Sequence, residues 1–380
     1  QFDPTFELGE LNGQNGFVIN GTSTDDYSGH SVSAAGDING DGIDDLIIGA
    51  WGADPGGNSQ AGISYVVFGS DNPTNHPFNL NTLNGINGFS IIGIAAGDES
   101  GRSVSTAGDI NGDGIDDVII GSKGANPNGN EQAGTSYVVF GSDSPIGNPF
   151  NLNTLNGING FVINGVTEED QSGHSVSAAG DVNGDGVDDL IIGAYGADPA
   201  GNSEAGSSYV VFGSNSFIGN PINLNTLNGN NGFVINGVAA DDQSGQSVSA
   251  AGDVNGDGID DVIIGARHAD PGGNSAAGSS YVVFGSDSPI GNPLNLNTLN
   301  GSNGFVINGV SLLDRSGQSV STAGDVNGDG IDDLIIGAWG ANPSGNNDAG
   351  SSYVVFGSDT SLGNPFNLNT LNGIDAFVIN

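Results

Sequence analysis

Five copies of one acidic nonapeptide, beginning at Asp37, Asp109, Asp181, Asp253 and Asp325, recur at intervals of 72 residues along this chain of 380. Each reads Asp-Ile/Val-Asn-Gly-Asp-Gly-Ile/Val-Asp-Asp. A fixed period restricts the fold to an array of one repeated unit, and 72 residues hold a four-stranded sheet with generous loops. The nonapeptide itself sets side-chain oxygens at alternate positions on a backbone too glycine-rich for helix or strand. That pattern suits a hard cation requiring six to eight oxygen ligands, and calcium is the first choice.

In the first copy the expected ligands are the side-chain oxygens of Asp37, Asn39, Asp41 and Asp45 with the carbonyl of Ile43, and Gly42 permits the sharp turn. The equivalent sets are Asp109, Asn111, Asp113, Ile115 and Asp117, then Asp181, Asn183, Asp185, Val187 and Asp189. Asp253, Asn255, Asp257, Ile259 and Asp261 follow, and then Asp325, Asn327, Asp329, Ile331 and Asp333. About five Ca2+ ions, one per repeat, are expected. The eighth residue, Asp44 in the first copy, is expected to point away from the ion and act as an outer-sphere group or a solvated charge. A single such segment also reads as an Asx-rich hairpin turn, because Asn-Gly and Asp-Gly favour turns.

Forty-four acidic residues face four basic ones, a formal charge of -40 that bound cations would relieve. Such a surface repels phosphate backbones and anionic lipid, so nucleic acid is not an expected partner. No apolar run approaches the roughly 20 residues of a membrane span, so no membrane insertion is expected. Cysteine and methionine are absent, and a chain beginning at Gln1 reads as a processed or excised segment.

Each unit reads as four strands. In the first these are the small-residue strand 29–36, the apolar strand 45–50, the Val/Tyr/Phe-rich strand 63–69 and the strand 88–92, with no helical period between them. The predicted fold is all-β: a five-bladed β-propeller of four-stranded antiparallel blades, one per repeat. An N-terminal strand segment at 1–20 precedes blades at 21–92, 93–164, 165–236, 237–308 and 309–380. The Ser-Val-Ser-Ala-Ala-Gly strand has the small side chains that a crowded innermost position needs.

Residues 6–20 and 366–380 are copies of one segment, so six fourth strands serve five blades. The N-terminal copy, 16–20, could complete the last blade and leave 376–380 to pair with another molecule. The alternative is an array cut from a longer one at repeat boundaries.

The succession of strand, Asp-x-Asn-Gly-Asp-Gly-x-Asp-Asp, Leu-Ile-Ile-Gly-Ala and Ser-Tyr-Val-Val-Phe-Gly resembles the FG-GAP repeat of the integrin α-subunit β-propeller. This resemblance covers all five units. It implies one calcium-bearing blade per repeat, with the ion between the two inner strands, in extracellular or cell-surface proteins that adhere or bind ligands without catalysis. Two features depart from the pattern. Ser28-Gly29 and its equivalents replace Phe-Gly, and Trp51, Lys123, Tyr195, Arg267 and Trp339 replace the proline of Gly-Ala-Pro. The family's blades are usually shorter and number seven.

Those five replacing residues should share one face of the ring, where aromatics could stack on sugars or merely cover the adjacent loop. His30, Arg102, His174, Gln246 and Gln318 form a second variable series. Catalysis is not expected, because the histidines occupy unrelated repeat positions and the carboxylates are accounted for as metal ligands. Asn-Gly-Asp-Gly precedes a strand and lacks a following lysine, so it is not a phosphate loop. The expected function is therefore an extracellular calcium-binding adhesion or ligand-binding module, with a carbohydrate or protein ligand. The alternative is a repeat subunit of an extracellular filament or surface coat, self-associating head to tail through the duplicated terminal strand. A carbohydrate-enzyme accessory domain comes third.

Overall fold

The computed structural model describes residues 7–71, 76–216, 219–360, 362–371 and 373–380, and over these the chain is all β, interrupted only by short 3-10 turns. Each repeat forms one blade whose strands follow chain order. In the third these are Ser175–Gly180, Asp189–Ala194, Ser207–Val211 and Gly232–Asn236, antiparallel throughout. The architecture is the five-bladed propeller type, with the small-residue strand innermost and successive inner strands packed on one another. A two-residue strand from the next repeat's connector adds to the outer edge in parallel, as Leu294–Asn295 does on Gly232–Asn236. The sequence shows no sign of it, since two residues carry no periodicity.

Each second strand is an almost unbroken apolar run because both of its faces are buried, each in a different core. In the third blade Leu190 and Ile192 pack toward the second blade with Phe161 and Ile163. Ile191, between them, packs the other way with Phe233 against Val262 and Ile264 of the fourth. The blades approach closely enough that a Cβ on Gly193 would overlap the carbonyl of Gly245, so only glycine fits. Adjacent inner strands are further joined by Val176 N–H donating to Ser103 Oγ at 3.1 Å, a bond repeated at the other three junctions.

No comparable packing joins the inner strand of the fifth blade to that of the first among the described residues. Val32 is accordingly 64% exposed where its equivalent Val176 is 5% exposed, and Val326 is 53% exposed where Val254 is 2% exposed. The array thus presents one open face at each end.

The terminal copies differ from expectation. Ile19–Asn20 does not complete the last blade but pairs in parallel with Phe78–Asn79, in the register Ile307–Asn308 keeps with Phe366–Asn367. The fourth strand of the last blade is its own Ala376–Ile379, paired with Ser351–Val355. Closing the short loop within one repeat is entropically cheaper than recruiting a segment from the far end of the chain. Phe6 and Asn372, within these copies, lie outside the described residues.

Candidate metal loops and a variable rim

The acidic loops join the two inner strands of each blade and share one rim. In the first, Asp37 caps the turn: its carboxylate accepts from the N–H of Asp41 at 2.9 Å and of Gly42 at 2.7 Å. Asp41 accepts from Ile43 N–H at 3.0 Å, and Gly42 sits at φ +87°, which favours glycine. Asp45, buried at the start of the second strand, accepts from Gly69 N–H at 2.7 Å, and the Asn39 amide donates to it at 3.2 Å. The turn and the Gly69-type bond repeat in all five blades, so backbone geometry, not chance rotamers, sets the loop.

Burial dominates the electrostatics of the ninth position. It pushes Asp117, Asp189 and Asp261 up to about 8, with the charges of the first and fifth loop aspartates adding to the shift. Asp45 rises only to about 6, consistent with the open face of the first blade, where Leu46 is 39% exposed and Leu190 fully buried. A carboxyl group held this far up, beside two further aspartates, lacks a positive partner that a divalent cation would supply.

The expected ligands therefore share each loop, all of them oxygen donors. The structure places the carboxylates of positions one and five on backbone N–H groups, and no three acidic or histidine side chains converge in ligand geometry among the described residues. The eighth residue has a partner outside its own loop. Asp116, Asp188, Asp260 and Asp332 each accept from a backbone N–H in the loop of the preceding blade.

At the opposite rim, three variable positions per blade meet. Two are the series headed by His30 and Trp51, and the third was not singled out by sequence: Tyr27, Glu99, Gln171, Gln243 and Arg315. All five residues of this third series sit at φ between +53° and +55°, one strained backbone site bearing four residue types, and that variability was the available signal. Tyr27 stacks on Trp51 at 4.7 Å, Lys123 pairs with Glu99 at 3.6 Å and Tyr195 donates to Gln171 at 2.7 Å.

Curated relatives share parts of this pattern. The chain is 34% identical over 253 residues to integrin alpha pat-2 of Caenorhabditis elegans, covering 64% of this chain and 18% of that protein. Integrin alpha-PS2 of Drosophila melanogaster is 30% identical over 187 residues, covering 48% of this chain and 12% of the relative. The phosphatidylinositol-glycan-specific phospholipase D of Dictyostelium discoideum is 26% identical over 342 residues, covering 85% of this chain and 33% of the relative. The chain spans a third or less of each of these proteins. A model of the FG-GAP repeat matches residues 28–67, 100–139, 172–211, 244–283 and 316–355, more than half of the chain and one match per blade. The chain belongs to the FG-GAP repeat family.

Proposed function

We propose that this chain is an extracellular, non-catalytic adhesion or ligand-binding module whose blades are each stabilised by one calcium ion. The observation that carries this reading is the same all-oxygen loop in five copies, each beside a buried aspartate that lacks a counter-charge. The side chains at positions one, three, five and nine, with the seventh carbonyl, would hold the ion, which supplies positive charge rather than reactivity. Such loops suit the roughly millimolar calcium outside cells. The names of the integrin relatives support adhesion. No helix is long and apolar enough to cross a membrane among the described residues.

Equilibrium dialysis should count about five calcium ions per chain, falling by one in Asp185→Asn/Asp189→Asn. Absence of binding would refute the metal assignment. Immobilised protein should retain cells in calcium and release them in chelator. No attachment in either condition would refute adhesion.

The open end faces favour a second reading, head-to-tail assembly. The trailing face of the fifth blade offers Ser319 Oγ and the Asp325 N–H. The leading face of the first offers Val32 N–H and Asp44, the complements of those groups at internal junctions. Ile19–Asn20 occupies the edge that an incoming fourth strand would take. Deleting residues 1–20 should therefore increase self-association in sedimentation velocity; a monomer at all concentrations, with and without the deletion, would refute it.

A further inference from the structure

All four lysine and arginine residues of the chain, set among 44 acids, fall within the fifteen variable positions of the rim opposite the acidic loops: Arg102, Lys123, Arg267 and Arg315. Glu99 is the one acid at those positions. The six-residue inner strand separates this rim from the acidic loops by about 20 Å, so the cations do not serve the loops.

Neutral groups hold three of the four cations. The Arg102 guanidinium lies 5.0 Å over the Trp51 ring and that of Arg315 lies 4.7 Å over Trp339. Arg267 donates to the amide oxygens of Gln243 and Gln318, both at 3.1 Å. Lys123 with Glu99 is the one salt bridge among the described residues. The cations also oppose one another: after burial, Arg315 is the next cause lowering Arg267. Burial, with Lys123, Arg102 and Arg267 nearby, holds His174 down at about 3, so it stays neutral. Gathering like charges costs stability, and an acidic chain could easily have paired them. A bound anion offsets that cost. Flat apolar surface adjoins the charge, with Tyr27 53% exposed and Trp339 49% exposed.

We propose that this rim binds an acidic saccharide, a chain of sugar units carrying carboxylate or sulfate groups. Arg102, Arg267, Arg315 and Lys123 take the anionic groups, while Tyr27 and Trp339 take the apolar faces of sugar rings. An acidic peptide offers the charge without the ring faces, and a nucleic acid presents phosphates and planar bases in place of apolar sugar-ring faces. The inference rests on the ligand-binding reading above and names the class of ligand.

The test is titration of the 380-residue chain with dextran sulfate, hyaluronate, neutral dextran, polyglutamate and a single-stranded oligonucleotide, at low and high salt. One or both acidic polysaccharides should bind, neutral dextran should not, and high salt should weaken binding about tenfold or more. Arg102→Gln/Arg267→Gln/Arg315→Gln should abolish binding while the chain still unfolds cooperatively, and Tyr27→Ala/Trp339→Ala should weaken it about tenfold. If the triple variant does not fold, Arg102→Gln/Arg315→Gln, which spares the two hydrogen bonds of Arg267, serves instead. Failure of both polysaccharides to bind, equal binding of polyglutamate or the oligonucleotide, or undiminished binding by the arginine variants would overturn the proposal. Calcium-dependent cell attachment is measured without these polymers, so it distinguishes failure of this site from failure of the adhesion reading.

Discussion

Asp188, in the third acidic loop, accepts a hydrogen bond at 2.9 Å from the backbone N–H of Asp109 in the second. The eighth loop residue is therefore a clamp between blades. The same bond joins Asp37 to Asp116, Asp181 to Asp260 and Asp253 to Asp332, whereas Asp44, in the first blade, is exposed and has no preceding loop to clamp among the described residues.

Removing a clamp leaves a half-buried N–H without its charged acceptor. Asp188→Ala should lower stability in urea unfolding by about 1–3 kcal/mol, and Asp44→Ala by less than about 0.5 kcal/mol. Equal effects would show that the bond contributes nothing at the junction.

The exposure contrast along one repeat position makes a matched pair. Val176→Ala should cost about 2 kcal/mol of unfolding free energy, while Val32→Ala should change it by about 0.5 kcal/mol at most. A large loss from Val32→Ala would mean that a neighbouring surface covers the first blade in solution.

Calcium at about 100 times its dissociation constant should stabilise the fold by about 2.7 kcal/mol per occupied loop. Thermal melting with calcium and with chelator measures this. An unchanged melting temperature would rule out an ion whose binding is linked to folding.

The raised pKa values of Asp117, Asp189 and Asp261, about 8 in the fold, fix the sign of the metal-free pH dependence. Between the unfolded value near 4 and about 8 the folded chain binds more protons than the unfolded one, so stability falls as pH rises through that window. Asp45, at about 6, completes its part of that loss at lower pH. In chelator, melting should therefore be higher at pH 5 than at pH 8. Saturating calcium should flatten or reverse the slope, because the ion takes the place of the proton.

Much of this was legible in the residues. The apolar runs Asp45–Ala50 and Gly88–Ile92 matched the strands residue for residue, because flanking turns bound them sharply. Strand 29–36 proved shorter, Ser31–Gly36, since Gly29 at φ +87° belongs to the preceding turn. What escaped the sequence depended on partners distant along it. Asp116 reads as a spare acid until the previous blade is placed against it, and Ile19–Asn20 reads as a ring-closing strand until Phe78–Asn79 offers a matching edge. The rim escaped in part for the same reason: Arg102 and Trp51 are 51 positions apart and meet only across a junction.

Because each blade's core lies between it and its neighbours, the described residues form four internal junctions and no single centre. Its unfolding then follows a one-dimensional, nearest-neighbour rule, in which total stability is the intrinsic term of each repeat plus one coupling term per junction. An end blade, coupled on one side alone, frays before a middle one. Lengthening the array by whole repeats should raise the melting temperature by diminishing increments.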